Sequence, residues 1–203
     1  TGAGGGILDI SSVEVTTVGA DVIFKINTLG DIPSTDWGKY MIGISTTPGG
    51  DPVGNGWGRP ISLTAGGGMD YWFGSWADSG QGVQLYQYSG SWSQIAASGP
   101  FAGGPPLAGL TNTIGSSFMS IKVPYASLGL GPTSSFEFDV YTSGGGGGDS
   151  AVDSLSNPFQ TISDWGIPYS SGLSTTYTIP EPSTFVLLGL GGLALVATIR
   201  RRK

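Results

Sequence analysis

Apolar and polar residues alternate in short runs along most of the chain. In the run Val22–Thr28, the apolar residues Val22, Phe24 and Ile26 occupy every second position. The run Tyr40–Ser45 repeats this pattern. Side chains of a β-strand point alternately to its two faces, so a period of two predicts strands with one face towards a hydrophobic core. The chain is therefore expected to fold mainly into β-sheets.

Runs of this kind recur between turns that are rich in Gly, Pro, Asn and Asp. Strands are predicted at Ile10–Val18, Val22–Thr28, Tyr40–Ser45, Ile61–Thr64, Met69–Ser75, Val83–Tyr88, Trp92–Ala97, Ser117–Val123, Ser135–Thr142 and Thr175–Ile179. Pro124–Leu128 is predicted to form one helical turn, and Ala96–Thr113 a long connecting loop. Many short strands at this spacing are typical of sandwiches and jelly rolls. The expected fold class is all-β, a two-sheet antiparallel sandwich that is jelly-roll-like, followed by a single C-terminal apolar helix.

That helix is predicted from the end of the chain. Ser183–Ile199 is a run of 17 residues without charge, followed by Arg200, Arg201, Arg202 and Lys203. A helix over about residues 184–199 would span roughly 25 Å, at the short end of what crosses a bilayer. The basic end would stay on the cytoplasmic side and leave the domain outside. Three glycines lower the helix propensity of the segment. It is therefore suited to enter the membrane but not to remain there as a permanent anchor.

The residues around this helix resemble a known bacterial sorting signal. The order Pro180-Glu181-Pro182, a short Gly-rich apolar segment and the basic end is similar to the PEP-CTERM sorting signal of Gram-negative bacteria. The resemblance implies recognition by an exosortase, a membrane cysteine protease, and cleavage near Pro180–Pro182, which makes these three residues substrate residues. It also implies transient contact with the inner membrane, export, and a final location at the cell surface or in the extracellular polysaccharide matrix. A permanent C-terminal anchor is the alternative.

The composition excludes several classes of chemistry. The chain contains no cysteine and no histidine, which removes disulfides, thiol nucleophiles, Ser-His-Asp triads and zinc sites with the usual ligands. The formal net charge is −6, and without the four terminal cations it is −10 over residues 1–199. Such a surface repels phosphate backbones, so binding of nucleic acid is not expected.

The chain is expected to divide into three segments. Residues 1–6 are a Gly-rich flexible lead-in, residues 7–179 form one β-sandwich domain, and residues 180–203 form the sorting tail. The first residue is Thr1 and no apolar leader opens the sequence. The favoured interpretation is that a secretory signal peptide has been removed, and the alternative is that the sequence is a fragment.

Three segments of the domain resemble a group of known sandwich domains. Residues 9–15 (DISSVEV), 21–27 (DVIFKIN) and 121–129 (IKVPYASLG) are similar to the opening hairpin and a late strand of domains related to DOMON and family 9 carbohydrate-binding modules. The resemblance implies a two-sheet sandwich and, in many members, binding of sugar or haem. Haem ligation in those families uses Met and His. Because this chain has no His, haem binding is not carried over.

Tryptophans are the main candidates for ligand contact. In the run Asp70–Trp76, strand alternation places Trp72 and Trp76 on one face and other large side chains on the opposite face. A two-layer sandwich cannot bury both faces equally, so one aromatic set should lie at a surface, at an edge or under a loop. Indole rings stack on the C–H faces of sugars, which makes Trp57, Trp165, Trp72 and Trp76 candidates for carbohydrate binding, with the turn residues Trp57 and Trp165 favoured. The alternative is that all four pack in the core or anchor loops.

Acidic residues near a glycine run indicate a candidate cation site. The run Gly144–Gly148 directly follows a predicted strand that carries Asp139, and Asp149 and Asp153 come after the glycines. Carboxylate and carbonyl oxygens are the ligands that calcium uses, and glycine permits close backbone approach to an ion or ligand. We therefore consider Asp139, Asp149 and Asp153 as calcium ligands. A flexible loop without any ligand is the alternative.

These features favour an exported, exosortase-sorted surface or matrix protein that associates with extracellular polysaccharide and catalyses no reaction. The first alternative is a purely structural protein that self-associates through edge strands and has no sugar site. The second is a glycosidase, which requires two carboxylates facing one another across a cleft. Glu137 and Asp139 share a predicted strand face but lie only about 7 Å apart by strand rise.

Overall fold

The computed structural model describes residues 6–34 and 37–181. This part of the chain forms strands and three short 3-10 turns, which confirms the all-β expectation. The strands are β1 (Ile10–Val18), β2 (Asp21–Thr28), β3 (Lys39–Ser45), β4 (Ile61–Leu63), β5 (Tyr71–Trp76), β6 (Gly82–Tyr88), β7 (Trp92–Ser98), β8 (Thr111–Ile114), β9 (Phe118–Pro124), β10 (Ser135–Ser143), β11 (Ala151–Ser154), β12 (Tyr169–Ser171) and β13 (Thr175–Thr178). The 3-10 turns are Ile32–Ser34, Ala65–Gly67 and Tyr125–Leu128.

Two antiparallel sheets pack against each other, consistent with the expected sandwich. The smaller sheet has the order β1-β2-β9-β8 and the larger has the order β11-β10-β3-β5-β6-β7. β13 also belongs to the larger sheet, because it pairs with β10 from Ser135 to Phe138 while β11 pairs with the other end of β10. Strand β10 therefore leads directly into the glycine run and also pairs with β13, the last described strand of the chain.

Phe24 of β2 lies in the core between the sheets. Its ring centroid is 5.6 Å from that of Phe138, 5.9 Å from that of Phe136 and 6.2 Å from that of Phe73. The alternating residues of β2, β3 and β9 fill the same core, namely Val22, Ile26, Tyr40, Ile42, Ile44, Met119, Ile121 and Val123. The apolar faces predicted from the period-two pattern are thus confirmed for β2 and β3.

The outer face of the larger sheet is buried as well. Segments 46–70 and 155–173 cover it as a third layer, and their strands β4 and β12 form a parallel pair. A second core cluster joins this layer to the sheet through Met41, Ile61, Leu63, Met69, Trp72, Tyr141 and Ala151. Every residue of β3 and β5 is therefore buried. Of the three places expected for the extra aromatic set, the structure shows the one under a loop.

All the predicted strands are present, with ends shifted by a few residues, and the helical turn predicted at Pro124–Leu128 is confirmed. Strands β8, β11 and β12 were missed. They have only three or four residues, as do the predicted strands β4 and β13, so a period of two gives little evidence for any of these five strands. The first three residues of β8, Thr-Asn-Thr, also fall inside the predicted long loop, because they are polar and show no apolar alternation.

The described chain ends just beyond β13. Ile179 is 1% exposed, donates its N–H to the carbonyl oxygen of Ser134 at 2.9 Å, and accepts the N–H of Thr133 at 3.1 Å. Pro180 and Glu181 follow directly and are exposed. The helix predicted at about residues 184–199, together with Pro182 and the basic end, lies outside the described residues. Within residues 6–34 and 37–181, none of the helices has the length and apolar character required to traverse a bilayer.

Candidate functional site

An open cleft of about 370 Å³ lies on the outer face of the larger sheet. Its floor is the end of the sheet where Lys39, Trp76 and Gly82 stand side by side on β3, β5 and β6. Its rim comes from the β5–β6 hairpin, the β7–β8 loop and the glycine run after β10. The residues that line it are Lys39, Trp57, Arg59, Trp76, Asp78, Ser79, Gln84, Phe101 and Gly147. The cleft therefore combines three aromatic rings with charged and amide side chains.

Two strand glycines seat the tryptophans of the cleft. A Cβ atom at Gly74 of β5 would lie 2.1 Å from Cε2 of Trp57, and one at Gly82 of β6 would lie 2.2 Å from Cζ2 of Trp76. Each indole thus lies directly on bare backbone, at a distance that no other residue would allow. The two indole centroids are 6.3 Å apart, and the ring planes are inclined by 39°. The glycines therefore place two aromatic surfaces next to each other.

Asn55 organises the turn that carries Trp57 and Arg59. Its side-chain amide donates to the carbonyl oxygen of Arg59 at 2.8 Å and to that of Ile61 at 2.7 Å. Its Oδ1 accepts the backbone N–H of Trp57 at 3.0 Å. Asn55 is 3% exposed, so these bonds form in a low-dielectric environment where they are strong. One buried amide thus fixes both cleft residues of this turn.

Gln84 of β6 joins Trp57 to the β7–β8 loop. Its Oε1 accepts the indole N–H of Trp57 at 2.6 Å, and its Nε2 donates to the carbonyl oxygen of Ala102. The amide of Gln94 donates to the same carbonyl oxygen at 3.1 Å. Since Ala102 follows Phe101 directly, these hydrogen bonds hold the rim loop close to the tryptophan.

Lys39 and Arg59 bring positive charge to the cleft. Nζ of Lys39 lies 3.0 Å from Oδ1 of Asp78, so this lysine has a carboxylate partner. Arg59 is 6% exposed, and its guanidinium carbon lies 5.4 Å from the centre of the Trp57 ring. Burial lowers the pKa of the Arg59 guanidinium, and the nearby charge of Asp149 opposes that shift. An arginine side chain stays protonated in proteins, so the cleft keeps this cation.

The glycine run after β10 is tied to the cleft through Arg59. Nη1 of Arg59 donates to Oγ of Ser143 at 2.8 Å and to the carbonyl oxygen of Asp149 at 3.0 Å. These two residues lie on either side of the run, and Gly147 within it lines the cleft. The glycine loop therefore forms one wall of the site.

Two residues that line the cleft, Ser79 and Phe101, have strained backbone, and so has Gln81 in the same hairpin as Ser79. Ser79, Gln81 and Phe101 have φ angles of 51°, 58° and 62°, in the left-handed region that non-glycine residues rarely adopt. Such conformations cost about 1–3 kcal/mol each and tend to cluster at functional sites. Phe101 is moreover 86% exposed. The strained loop thus holds an apolar ring in solvent beside the aromatic cleft.

The structure brings together two of the four candidate tryptophans. Trp57 is half-buried and Trp76 is 9% exposed, and both line the cleft. Trp72 is 0% exposed beneath the third layer, so we correct its expected ligand role to one of packing. Trp165 is half-buried and lies in a separate cluster, with its ring centroid 6.0 Å from that of Trp37.

The three candidate calcium ligands do not converge. Asp139 is 0% exposed, and its carboxylate accepts the N–H and the hydroxyl of Ser156 at 3.0 and 2.6 Å. Asp149 accepts a backbone N–H within the glycine run at 2.8 Å, and Asp153 accepts that of Ile10 at 2.7 Å. Among residues 6–34 and 37–181, no group of three acidic side chains is placed to hold a metal ion. The expected calcium site is corrected accordingly, because each carboxylate instead binds local donors.

Glu137 and Asp139 do not face a common cleft. Asp139 is enclosed below Ser156, whereas Glu137 accepts a hydrogen bond from Ser174 and lines a separate cavity of about 210 Å³. A pair of catalytic carboxylates on opposite sides of a sugar would need access to the same open space. This pair does not have it.

Sequence reasoning missed Asn55, Gln84 and Phe101. The Gly-Asn-Gly triplet around Asn55 is a turn signal whose central amide can bind neighbouring backbone groups. Gln84 stands two residues after Gly82, so strand alternation places both on the face that carries Trp76. Phe101 is a large apolar residue within a Gly- and Pro-rich loop. Because such loops are mostly polar or small, the residue could have been marked as a candidate for ligand contact.

Comparison with known protein families supports the assignment of the tail. Residues 178–203 match the PEP-CTERM protein-sorting motif. The match supports an exported protein that is processed by an exosortase and reaches the surface or the extracellular space. No curated protein and no solved structure matches the chain. The resemblance to DOMON and family 9 carbohydrate-binding modules is therefore not confirmed.

The seat of Trp57 on Gly74 predicts a large effect of a single methyl group. Gly74→Ala places a Cβ atom 2.1 Å from Cε2 of Trp57, so the indole must leave the sheet face. We expect the free energy of unfolding to fall by about 1–3 kcal/mol, although alanine is otherwise the better strand residue. Urea denaturation followed by tryptophan fluorescence measures this. Gly131→Ala is the matched control, because nothing lies within 4 Å of a Cβ there, and an equal effect of both changes would contradict the prediction.

The burial of Asp139 predicts a pH-dependent contribution to stability. Burial raises the pKa of the Asp139 carboxyl, and hydrogen bonds from Ser156 oppose the shift. The folded state then binds the proton more tightly than the unfolded state, so this contribution to stability is present at low pH. It is lost as the pH rises from about 4 through the raised pKa. Asp139→Asn removes this titration.

We therefore expect wild type to lose stability relative to Asp139→Asn as the pH rises from about 4 to 7. Urea denaturation at a series of pH values measures the difference between the two proteins. The pKa of Asp153 is also raised by burial, so the wild-type curve alone does not isolate Asp139. Parallel curves for the two proteins would refute the prediction.

Proposed function

We propose that this exosortase-sorted protein binds an extracellular polysaccharide in the cleft and does not transform it. The observation that carries the proposal is the pair of indoles, Trp57 and Trp76, beside the exposed ring of Phe101. Contiguous apolar surface left open to solvent commonly marks a binding site. The strain at Phe101 strengthens the argument, because the fold keeps this ring in solvent at an energetic cost.

The other groups of the cleft suit a sugar. Indole faces stack on the C–H faces of a sugar ring, while sugar hydroxyls need both donors and acceptors. Asp78 and Gln84 supply acceptors, and Lys39, Arg59 and Gln84 supply donors. A volume of about 370 Å³ is in the range of ordinary ligand sites, roughly 300–1,000 Å³. Because the cleft is open, an internal stretch of a polysaccharide could bind in it, and a free chain end would not be required.

The charges of the cleft favour binding over hydrolysis. Among the residues that line it, Asp78 is the only carboxylate, and it pairs with Lys39 at 3.0 Å. Glycoside hydrolysis by the usual route needs two carboxyl groups about 5–9 Å apart around the scissile bond. The proposed role is therefore attachment to the matrix.

The position of the sorting signal fits a tail that is removed from a folded domain. The backbone of Ile179 is hydrogen-bonded to the domain and its side chain is buried, whereas Pro180 and Glu181 are exposed. An exposed segment directly after the last strand can be reached by a protease. We propose that cleavage near Pro180–Pro182 releases an intact domain.

A second candidate function is self-association through an edge strand. β1 has nine residues and pairs only with β2 among the described strands, so its second edge is open there. Its single charged residue is Glu14, whose Oε1 lies 3.1 Å from Nζ of Lys25 in a salt bridge. Long edge strands with few charges are templates for pairing with another chain. Filaments of the processed protein that form without any glycan would favour this function.

Removal of the cleft rings should weaken binding of the polysaccharide. Phe101→Ala deletes an exposed ring, so stability should change by less than about 0.5 kcal/mol, while affinity should fall about three- to ten-fold. Trp57→Ala should reduce affinity at least about ten-fold, because it also removes the anchor of Gln84. Titration calorimetry with a glycan selected on a glycan array measures both effects.

Two substitutions outside the cleft serve as controls. Phe159 is 88% exposed, so Phe159→Ala matches Phe101→Ala in chemistry and exposure, and Trp165→Ala matches the loss of a half-buried indole. Both should leave affinity unchanged. The proposal fails if no glycan binds wild type at millimolar concentration, or if Phe159→Ala weakens binding as much as Phe101→Ala does.

Mass spectrometry of the protein from its native host should find the C-terminus near Pro180–Pro182. This is the expected result because the match at residues 178–203 implies exosortase processing. Replacement of both Pro180 and Pro182 by alanine should leave the tail attached. A wild-type protein that keeps Arg200–Lys203 would argue for a permanent anchor instead.

A further inference from the structure

We infer that the saccharide bound in this cleft carries a carboxylate, as a uronic acid does, and that this carboxylate binds the guanidinium of Arg59. The inference rests on the proposed function and narrows its ligand class.

The fold uses only one of the three nitrogens of the Arg59 guanidinium. Nη1 donates to Ser143 and to Asp149, whereas Nε and Nη2 have no hydrogen-bond partner among the described residues. Arg59 is one of the residues that line the cleft. Nε–H and one N–H of Nη2 point in parallel along one edge of the planar group. That edge matches the two oxygens of a carboxylate.

Arg59 also forms no salt bridge with a carboxylate of the described residues, although the charge of Asp149 lies near its guanidinium. The salt bridges there join the lysines of the domain to acidic residues, in the pairs Lys25–Glu14, Lys39–Asp78 and Lys122–Asp21. Arg59, at 6% exposure, is more buried than any of these lysines and carries its charge without such a pair. A buried cation that no carboxylate contacts directly has its loss of hydration only partly offset, even with the charge of Asp149 nearby. An anionic group that enters the cleft would therefore gain more at Arg59 than at any of the lysines.

The position of Trp57 lets one sugar unit make both contacts. The guanidinium carbon of Arg59 lies 5.4 Å from the centre of the Trp57 ring. A carboxylate attached to a pyranose ring is separated from that ring by one carbon–carbon bond. A uronic acid on Arg59 therefore brings its ring to the adjacent indole, and the same unit combines a charge-assisted contact with a stacking contact.

The net charge of the domain limits how dense the acidic units can be. The formal charge over residues 1–199 is −10, which repels a polymer that is charged at every unit. This repulsion is screened beyond about 8 Å at physiological ionic strength, whereas a direct contact in a partly enclosed cleft is screened much less. The expected ligand is a polysaccharide in which neutral units separate the acidic ones.

The test compares an oligosaccharide that contains one uronic acid with its methyl ester. The ester keeps the sugar ring and removes the charge, and the protein stays unchanged. Calorimetry at about 0.15 M salt should show that the acid binds wild type at least about ten-fold more tightly than the ester. Arg59→Lys keeps a cation but loses the planar fork, so this preference should fall to about three-fold or less. Lys122→Gln, outside the cleft, should leave the preference unchanged.

The outcomes separate this inference from the proposed function. Equal binding of acid and ester to wild type would overturn the inference and leave carbohydrate binding intact. Failure of both forms to bind would overturn both. An unchanged preference in Arg59→Lys and Arg59→Gln would place the carboxylate elsewhere and overturn the assignment. Because Arg59 also supports Ser143 and the glycine run, the comparison of acid with ester on wild type is decisive if these variants fold poorly.

Discussion

The indole of Trp57 rests on the backbone of Gly74, and the third layer of the domain depends on contacts of this kind. Layers that pack through side chains lie about 10 Å from a sheet. Glycines in β3 and β5 remove that spacing locally, since a Cβ atom at Gly43 would lie 2.4 Å from Sδ of Met69, just as one at Gly74 would collide with Trp57. Irregular segments can therefore cover the sheet closely. The same contacts bury one side of each cleft tryptophan and define where a ligand can reach it.

Carboxylates hold these irregular segments in place of disulfides or metal ions. Oδ2 of Asp70 accepts the N–H groups of Thr46 and Thr47 at 2.7 and 2.9 Å. Asp51 accepts two backbone N–H groups of its own turn and the indole N–H of Trp92 at 2.8 Å. Each of these hydrogen bonds gives a loop N–H group a partner that it would otherwise lack inside the protein. The acidic residues of this domain are thus largely structural, which explains why the candidate calcium ligands point to different places.

The sequence predicted those features that depend on local pattern. Alternation identified the buried faces of β2 and β3, and the linear order of Pro-Glu-Pro, apolar segment and basic end identified the sorting signal. The third layer depends on which loop crosses the sheet, and a period of two carries no information on that. The pattern therefore did not show that Trp72 is covered, and Trp72 remained a candidate for ligand contact beside the favoured Trp57 and Trp165. A signal did exist in Gly74, since glycine inside a strand often marks the close approach of another group.

The position of β13 determines how the domain responds to a force that is applied at its C-terminal end. Any pull on the tail, from the membrane or from a later attachment, enters the domain at Ile179 and passes first to β13. This strand is held by four residue pairs with β10, and its loss would open the core beside Phe136 and Tyr177. The domain therefore has a short strand that yields first under load, next to the point where the load is applied.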